Sequence, residues 1–428
     1  MENYFLKYKY SFKENYKFLT ILFICIFSSS FTFFKSPFEF YFYYIFVIIL
    51  TPFLFFKNSF PKFVIKPFVF LLIIGSIHVI LNNNLQFTFI KIYGGLLIMI
   101  LFFYYLINHV DFNVKYLFYW YCMFSYYISL IGIFQAISFL LNFKFGYDFS
   151  WCLNKWAVVR GGLIGIRLNS IISEPTYLAT VLSPSIYVSI KSLISKSSFI
   201  YTKFQSIILI SVMILTTSTI GYLGLLISVI LLTNTIRLRF IIFGIFISFF
   251  GFNLSYNFVP DFKQRVDAAK GLWIDNDFRL INTNNSSFVL FNNLHVAKKN
   301  LSKYPLFGTG LGSHETAFKK YTLTRSLIQY DFEFNIKDGN SLFIRLCTET
   351  GLVGVFFVLA FIFKGFIYKN NYRDESLMLN QAISQSIFVL LILVLIRQGN
   401  YMLNGLPLIF LLYHFNRKEF DQLVSTSE

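Results

Sequence analysis

Long apolar runs, broken by short polar turns, occupy most of the chain. A helix needs about 20 mostly apolar residues to cross a bilayer, and about 12 stretches approach that length. They lie at 18–34, 38–56, 66–81, 88–108, 114–141, 176–194, 204–217, 218–234, 238–258, 348–368, 382–397 and 399–416. The pattern predicts an all-α polytopic membrane protein with about 12 transmembrane helices. This count depends on a polar turn near Thr217 that divides one apolar stretch in two.

The basic residues predict an orientation, because Lys and Arg concentrate in short loops on the cytoplasmic side. With the N-terminus inside, the short inside connections are basic and the short outside turns are nearly bare. The inside set is Lys57, Lys62, Lys66, Lys115, Lys191, Lys196, Lys203, Arg237, Arg239, Lys369, Arg373, Arg417 and Lys418. We therefore expect a multi-pass protein of the bacterial inner membrane with both termini in the cytoplasm.

This alternation leaves two connections outside that are too long to be turns. The expected layout is transmembrane helices 1–5 in 1–141, a first periplasmic loop at 142–175, helices 6–9 in 176–258, a large periplasmic loop at 259–347, helices 10–12 in 348–416 and a cytoplasmic tail at 417–428. Because the spans are apolar, any polar chemistry outside the membrane must come from the two loops.

Composition excludes the soluble classes. Of the 428 residues, 56% are hydrophobic and only 13% are charged, which no soluble core could accommodate. The net charge of +17 reflects the inside bias, since no nucleic-acid-binding module is evident, and no nucleic-acid partner is expected. The four cysteines lack metal-ligand spacing, so neither a metal nor a cofactor is predicted.

Arginine is concentrated in the two long loops, against the bias that keeps basic residues inside. Six of the 11 arginines lie there: Arg160, Arg167, Arg265, Arg279, Arg325 and Arg345. A solvated loop explains any one of them equally well. Together they predict a site for a lipid-linked phosphate or pyrophosphate, because guanidinium groups hold phosphate through paired hydrogen bonds.

The first loop ends in Ser173, Glu174 and Pro175. Proline suits the first turn of a helix, so Glu174 falls at a helix start. Two interpretations stay open. The helix N-terminus could simply stabilise the carboxylate, or Glu174 could act as an acid or base beside Arg160 and Arg167.

The large loop predicts an amphipathic helix that is capped by Ser286 or Ser287 and ended by Pro305, lying on the membrane or over the bundle. Its expected apolar stripe is Phe288, Phe291, Leu294, Ala297 and Leu301. A glycine-rich turn at 308–312 then leads into a helix capped by Ser313. His314 at its start is a candidate proton acceptor, with an exposed structural histidine as the alternative.

The last segment of the large loop leads directly into a span. Asn340 is expected to cap that helix, and Arg345 and Glu349 lie four residues apart on one face. This spacing permits a plain ion pair. It equally permits Arg345 to face a cavity while Glu349 holds it in place.

These motifs resemble those of the O-antigen polymerase and ligase superfamily. The matching runs are PLFGTGLG at 305–312, DGNSL at 338–342 and ETGLVG at 349–354, set in a layout of about 12 spans with one large outside loop. The turn at 215–221 is also similar, although Ser218 and Thr219 stand where many members have Ser-Arg. The run Ser173-Glu174-Pro175 is similar to polymerases of this group.

The resemblance implies a metal-independent glycosyltransferase of the GT-C type. Such an enzyme takes a glycan repeat from undecaprenyl pyrophosphate at the periplasmic face and joins it to an acceptor. Ligases commonly carry histidine where Gly339 precedes Asn340, so the resemblance favours an O-antigen polymerase over a ligase acting on lipid A-core. A polysaccharide flippase or transporter is the remaining alternative, although no internal repeat is visible.

The hypothesis for the site follows from this chemistry. A leaving pyrophosphate needs charge stabilisation and the attacking hydroxyl needs a base. The expected pyrophosphate-binding residues are Arg160, Arg167, Arg265, Arg279, Arg345 and Asn340. The base candidates are, in order, Glu174, His314 and Asp338. The expected partners are an undecaprenyl-pyrophosphate-linked oligosaccharide, membrane lipid and a chain-length regulator protein.

Overall fold

The computed structural model describes residues 15–34, 39–57, 61–82, 84–195, 199–232, 250, 253, 256–258, 260–328, 330, 334–368 and 374–427. Within them the chain is almost entirely helical, with two short antiparallel hairpins as its strands. The predicted span at 238–258 lies almost wholly outside the described residues. So do the predicted inside residues Lys196, Arg237, Arg239, Lys369 and Arg373.

The described helices, in chain order, are α1 (Tyr16–Phe27), α2 (Tyr43–Lys57), α3 (Lys62–Leu81), α4 (Gln86–Asn108), α5 (Val114–Leu140), α6 (Lys144–Tyr147), α7 (Pro175–Ile194), α8 (Lys203–Leu215), α9 (Thr219–Leu232), α10 (Pro260–Trp273), α11 (Asn285–Lys303), α12 (His314–Tyr321), α13 (Leu342–Gly365), α14 (Glu375–Arg397) and α15 (Leu406–Ser427). The strands are β1 (Thr32–Phe34), β2 (Phe40–Tyr41), β3 (Val159–Arg160) and β4 (Ile166–Arg167).

Five described helices, α3, α4, α5, α7 and α14, are long and apolar enough to cross a membrane. Helices α1, α2, α8, α9 and the second half of α13 are apolar but shorter. Helix α7 is central, because it packs against α8, α9 and α14 together. Helix α3 lies at the periphery, with most of its apolar side chains exposed. The prediction of an all-α protein rich in apolar helices is thus confirmed.

Small polar residues let helices approach α7 closely. Ser183, Ser185, Ser189 and Ser192 are all buried on it. The Ser183 hydroxyl donates to the Thr180 carbonyl at 2.7 Å, and the Ser189 hydroxyl donates to the Ser185 carbonyl at 2.8 Å. Because the Ser183 and Ser189 hydroxyls bond within their own helix, these small side chains leave room for neighbouring backbones.

The first apolar run is not one long helix. Helix α1 ends at Phe27, and β1 and β2 form a hairpin in which Thr32 faces Tyr41. The predicted span 18–34 therefore extends too far, and 38–56 starts too early. Aromatic residues are enriched in strands, and the Thr32 N–H donates to the Asn154 side chain at 2.9 Å. The first loop thus holds the hairpin in place.

The predicted polar turn near Thr217 is present. Helix α8 ends at Leu215 and α9 begins at Thr219. The Thr216 hydroxyl donates to the Met213 carbonyl at 2.7 Å and accepts from the Ser218 N–H at 3.3 Å. Thr217 has a φ of 44°, a left-handed conformation that ends a helix.

Connections predicted to lie outside contact one another at one end of the bundle, which we call the loop end. The Asn84 amide donates to the Thr309 carbonyl at 2.6 Å, so the α3–α4 turn touches the large loop. The Leu168 N–H donates to the Leu215 carbonyl at 3.1 Å, so the first loop touches the α8–α9 turn.

Connections predicted to lie inside meet at the opposite end, which we call the tail end. The Lys115 ammonium contacts the Glu419 carboxylate at 2.7 Å. The Asn416 amide donates to the Asn380 carbonyl at 2.8 Å. The expected tail at 417–428 does not leave this end as a separate segment, because α15 continues through it to Ser427.

Helix α11 packs on α13, as the amphipathic pattern predicts for a helix lying over the bundle. Its N-cap is Asn284, whose side chain accepts from the Ser286 N–H at 3.0 Å, so the expected serine caps are wrong. Its buried face is also more polar than predicted. The buried residues are Phe288, Val289, Asn292, Asn293, Val296, Ala297 and Asn300. The asparagines are inside because each bonds to a neighbouring segment, as with Asn300 and the Thr348 carbonyl at 3.0 Å.

Helix α13 is broken at Gly351, and the glycine-rich turn fills the break. Gly351 has φ 62° and ψ −161°, so it cannot continue a helix. The freed backbone groups bond to the turn through four hydrogen bonds. From α13, the Leu352 N–H donates to the Pro305 carbonyl (2.9 Å) and the Val353 N–H donates to the Leu306 carbonyl (3.0 Å). From the turn, the Thr309 N–H donates to the Thr348 carbonyl (3.1 Å) and the Gly310 N–H donates to the Glu349 carbonyl (2.8 Å). The two resemblance motifs at 305–312 and 349–354 are therefore one structural unit.

We expect Gly351→Ala to destabilise the protein by about 2 kcal/mol or more. Its φ is unfavourable for alanine, and a Cβ there would lie 2.5 Å from the Leu306 carbonyl oxygen. Thermal unfolding in detergent measures the loss. Gly94→Ala, within α4, is the matched control, since its Cβ would meet nothing within 4 Å. A Gly351→Ala protein as stable as the control would contradict this role for the break.

Candidate functional site

Glu174 stands at the N-cap position of α7, at the loop end. Its backbone is extended, and its side chain makes no capping hydrogen bond. Solvent reaches the side chain, but the surrounding protein raises the pKa of the Glu174 carboxyl above its usual value. Glu174 therefore does not cap α7 through its side chain, and its raised pKa gives no sign of stabilisation by the helix N-terminus.

Four charged groups lie within electrostatic range of Glu174. They are Lys155, Arg167, Asp338 and Arg397. All four are partly buried. We call these five residues the polar recess. The three cations oppose the rise in the Glu174 pKa and the Asp338 carboxylate adds to it, while removal from water is the largest cause.

Lys155 is positioned by the β1–β2 hairpin. Its ammonium contacts the Glu39 carboxylate at 2.5 Å and the Tyr41 hydroxyl at 2.6 Å. Its backbone N–H donates to the Ser30 carbonyl at 3.0 Å. Burial raises the pKa of the Glu39 carboxyl, but hydrogen bonds from Lys155 and Tyr41 outweigh this effect, so the pKa lies below its usual value. Lys155 is not among the site residues predicted from the sequence.

Arg397 is the other member of the polar recess that sequence reasoning missed. It is the last residue of α14, and its guanidinium donates to the Ser286 carbonyl at 3.2 Å and to the Ser286 hydroxyl at 2.9 Å. The sequence does contain a signal for Arg397. An arginine at the end of a predicted span, next to an outside turn, is energetically costly unless it has a partner or a functional role.

Arg167 of the polar recess lies within electrostatic range of a like charge, Arg265. The Arg167 Nε donates to the Thr216 carbonyl at 3.2 Å, which ties β4 to the α8–α9 turn. Burial and the nearby Arg265 charge lower the pKa of Arg167. Arg265, on α10, is exposed. Two guanidinium groups within electrostatic range repel one another, so an anion between them would be stabilising.

Asp338 lies in a tight turn against the α14–α15 connection. Its carboxylate accepts from the Asn335 side chain and from the Asn340 N–H, both at 3.1 Å. A side chain on Gly399 would collide with the Asp338 carbonyl, so the two segments are in close contact. Asn340 does not cap α13 as predicted, because it has a φ of 57° and Ser341 takes the cap, accepting from the Ile344 N–H at 3.2 Å.

Arg345 is buried and bonded through two of its guanidinium nitrogens, an arrangement that does not support its predicted role in binding pyrophosphate. Its Nε contacts the Glu349 carboxylate at 2.8 Å, and its Nη1 donates to the Gly399 carbonyl at 2.8 Å. The guanidinium also lies 4.1 Å from the ring centroid of Tyr401, whose hydroxyl donates to Glu349 at 2.8 Å. Only 4% of Arg345 is exposed. The simple ion-pair interpretation is the one that the geometry supports.

His314 is buried too, so the expectation of a proton acceptor is not supported. Its Nε2 lies 2.9 Å from the Asn293 side-chain oxygen, and its Nδ1 lies 3.1 Å from the Thr348 hydroxyl. Burial, with a contribution from the Arg345 charge, lowers the pKa of His314 to about 3. The ring is neutral at ordinary pH and acts as a structural link between α11 and α13. It is not the exposed histidine of the alternative either.

Two further predicted arginines are not part of the polar recess. Arg160 is exposed on β3, opposite Ile166. Arg279 is exposed and contacts the Asp277 carboxylate at 2.8 Å. The polar recess therefore contains three predicted residues, Glu174, Arg167 and Asp338. Within the described ranges, no group of three or more His, Cys, Asp or Glu side chains is arranged to hold a metal ion.

Comparison with known proteins adds no relative to this picture. No protein-family model matches the chain, and no curated protein matches it.

We expect Arg345→Met and Glu349→Gln each to lower the free energy of unfolding, with Arg345→Met costing about 3 to 5 kcal/mol because it leaves a buried carboxylate without its cation. The double variant Arg345→Met/Glu349→Leu should recover part of that loss. Unfolding by heat or denaturant in detergent measures both effects.

The exposed pair of Lys319 and Glu315 has the same four-residue spacing at 2.7 Å and serves as the control. Lys319→Met should cost less than about 1 kcal/mol. An Arg345→Met protein of unchanged stability that no longer binds a lipid-linked donor would restore the predicted ligand-binding role for Arg345.

Proposed function

We propose that this protein is a membrane-embedded glycosyltransferase, an O-antigen-type polymerase that joins undecaprenyl-pyrophosphate-linked glycan repeats at the periplasmic face of the inner membrane. The polar recess is the observation that carries the proposal. It combines a solvent-accessible carboxylate, Glu174, with the cations Lys155, Arg167 and Arg397 where the apolar helix α7 begins. The motifs at 305–312, 338–342 and 349–354 supply the resemblance to the family.

In this proposal Glu174 removes the proton from the attacking sugar hydroxyl. A base must be ionised and within hydrogen-bond reach of that proton. Glu174 qualifies because no hydrogen bond within the described part of the chain occupies its side chain. Asp338 contributes differently, since its carboxylate is already engaged in its own turn. Asp338 then acts by keeping a second negative charge near Glu174.

In the same proposal, the leaving pyrophosphate binds at Arg167 and Arg265. Arg397 contributes a third positive charge. Guanidinium groups aimed at a developing phosphate charge stabilise the transition state without reorganising. Arg167 is held by the Thr216 carbonyl, so its orientation is set before the donor arrives. Protein cations would supply this charge stabilisation.

The proposed layout has about 12 spans with both termini in the cytoplasm. The loop end faces the periplasm in this arrangement, and the tail end faces the cytoplasm. Supporting it, contacts such as Asn84 with Thr309 and Lys115 with Glu419 join connections that the basic-residue pattern assigns to the same side.

We expect Glu174→Gln to lower the rate of polymerisation by about 10²- to 10⁴-fold, because the amide cannot accept the proton. Polymer formed from a purified lipid-linked repeat measures the rate. Donor affinity should stay near that of the unmodified protein. Glu315→Gln, which removes a carboxylate paired with Lys319 on α12, is the control. Full activity of Glu174→Gln would exclude Glu174 as the base.

The acid limb of the pH–rate profile should lie above the pH at which an ordinary glutamate titrates. The pKa of Glu174 is raised, so the carboxyl protonates and loses its function as the pH falls through that raised value. A profile flat down to the usual glutamate pKa would contradict the assignment.

We expect Arg167→Ala and Arg265→Ala each to weaken donor binding and reduce polymerisation by about tenfold or more, since each removes a charge-assisted phosphate contact. Arg279→Ala is the matched control, because Arg279 is already paired with Asp277. Donor titration and a gel of surface glycan measure the effects. Equal behaviour of all three variants would place the pyrophosphate elsewhere.

A deletion strain separates the related functions. Loss of a polymerase leaves a single repeat on the lipid A-core. Loss of a ligase leaves no repeat on the core while lipid-linked polymer accumulates, and loss of a flippase traps repeats on the inner face. Either of the last two profiles would overturn the polymerase proposal.

A further inference from the structure

A cavity of about 620 Å³ lies at the tail end, far from the polar recess. It is formed where α13 ends and α15 passes beside it. Its lining includes Phe361, Lys364, Tyr413, Arg417, Lys418 and Asp421. A second cavity of about 1090 Å³ adjoins it and shares His414, Lys418 and Gln422. The mechanism proposed above uses none of these residues.

The charges around the smaller cavity do not balance. Arg417 is paired with Asp421 at 2.9 Å. Lys364 and Lys418 are both exposed, and neither forms an ion pair with any residue that the structure describes. Both lie within electrostatic range of the His414 ring, so the two ammonium groups flank one site. Like charges held this way are stabilised by an anion between them.

Apolar surface continues from the cavity along α13. Phe361 of α13 and Tyr413 of α15 form part of its wall. Phe357 and Phe363, also on α13, are exposed. The three phenylalanine rings belong to the apolar half of α13, Gly351–Gly365, which ends at the cavity. A ligand that fits both features has an anionic head and an apolar chain.

We propose that this cavity binds the phosphate of an anionic phospholipid such as phosphatidylglycerol, with Lys364 and Lys418 on the phosphate and the acyl chains along Phe357 and Phe363. The bias of basic residues toward the cytoplasm accounts for the presence of lysines at this end. It does not account for the position of Lys364 and Lys418 around one cavity, each without an ion-pair partner among the described residues. Basic pockets between membrane helices on this side recognise anionic head groups. The site is independent of glycosyl transfer.

The test uses the full-length protein in nanodiscs of phosphatidylcholine, with and without phosphatidylglycerol. We expect phosphatidylglycerol to raise the unfolding temperature and to be retained in native mass spectra. Lys364→Gln/Lys418→Gln should weaken its binding about thirtyfold, from about 1 kcal/mol for each lysine. Lys364→Arg/Lys418→Arg keeps the charge and should retain binding.

The matched control is Lys298→Gln/Lys299→Gln, which removes two exposed lysines at the loop end. It should bind phosphatidylglycerol as the unmodified protein does. The proposal is overturned if the Lys364/Lys418 variant binds equally well, or if both glutamine variants lose binding to the same extent. Stabilisation by a polyprenyl phosphate in phosphatidylcholine, with none by phosphatidylglycerol, would instead assign the site to a lipid-linked phosphate and overturn the phospholipid assignment.

Discussion

The loop end depends on the backbone hydrogen bonds across the break in α13. A helix interrupted at Gly351 leaves N–H and carbonyl groups without partners, and such groups are costly when buried. The turn at 305–310 satisfies them. Because Thr309 also accepts from Asn84, the same turn fastens the large loop to α3 and α4. The large loop is therefore part of the bundle.

Two clusters of charge at the loop end differ in how far they are satisfied. Around Arg345, each charge has a partner at close range, and the cluster is closed to solvent. Such a network stabilises one arrangement of the chain. In the polar recess, Glu174 remains open to solvent, and Arg167 lies near the like charge of Arg265, which is exposed. Charges that lack a close partner of opposite sign can gain one by binding a ligand.

The sequence predicted what depends on local pattern and missed what depends on contacts between distant segments. The apolar runs and the turn at Thr217 were readable because hydropathy and helix-breaking residues act locally. Arg345 and His314 were assigned to the site because their residue types suit it. The structure buries both, through partners such as Gly399 and Asn293 that lie at least 20 residues away. Arg397 was not predicted as a site residue because the turn that follows it, at 398–400, carries no charged side chain.

Helix α7 carries a consequence for how the protein is made. The most apolar 18-residue window of α7 has a mean hydropathy of 1.3, the lowest among the five long apolar helices, and 78% of that window is buried by protein. Its buried serines suit neighbouring helices better than lipid. A segment of this polarity partitions poorly from the translocon into lipid by itself. We therefore expect α7 to be retained at the translocon until α8 and α9 emerge. The helix that bears Glu174 would then enter the bilayer already packed against these two helices.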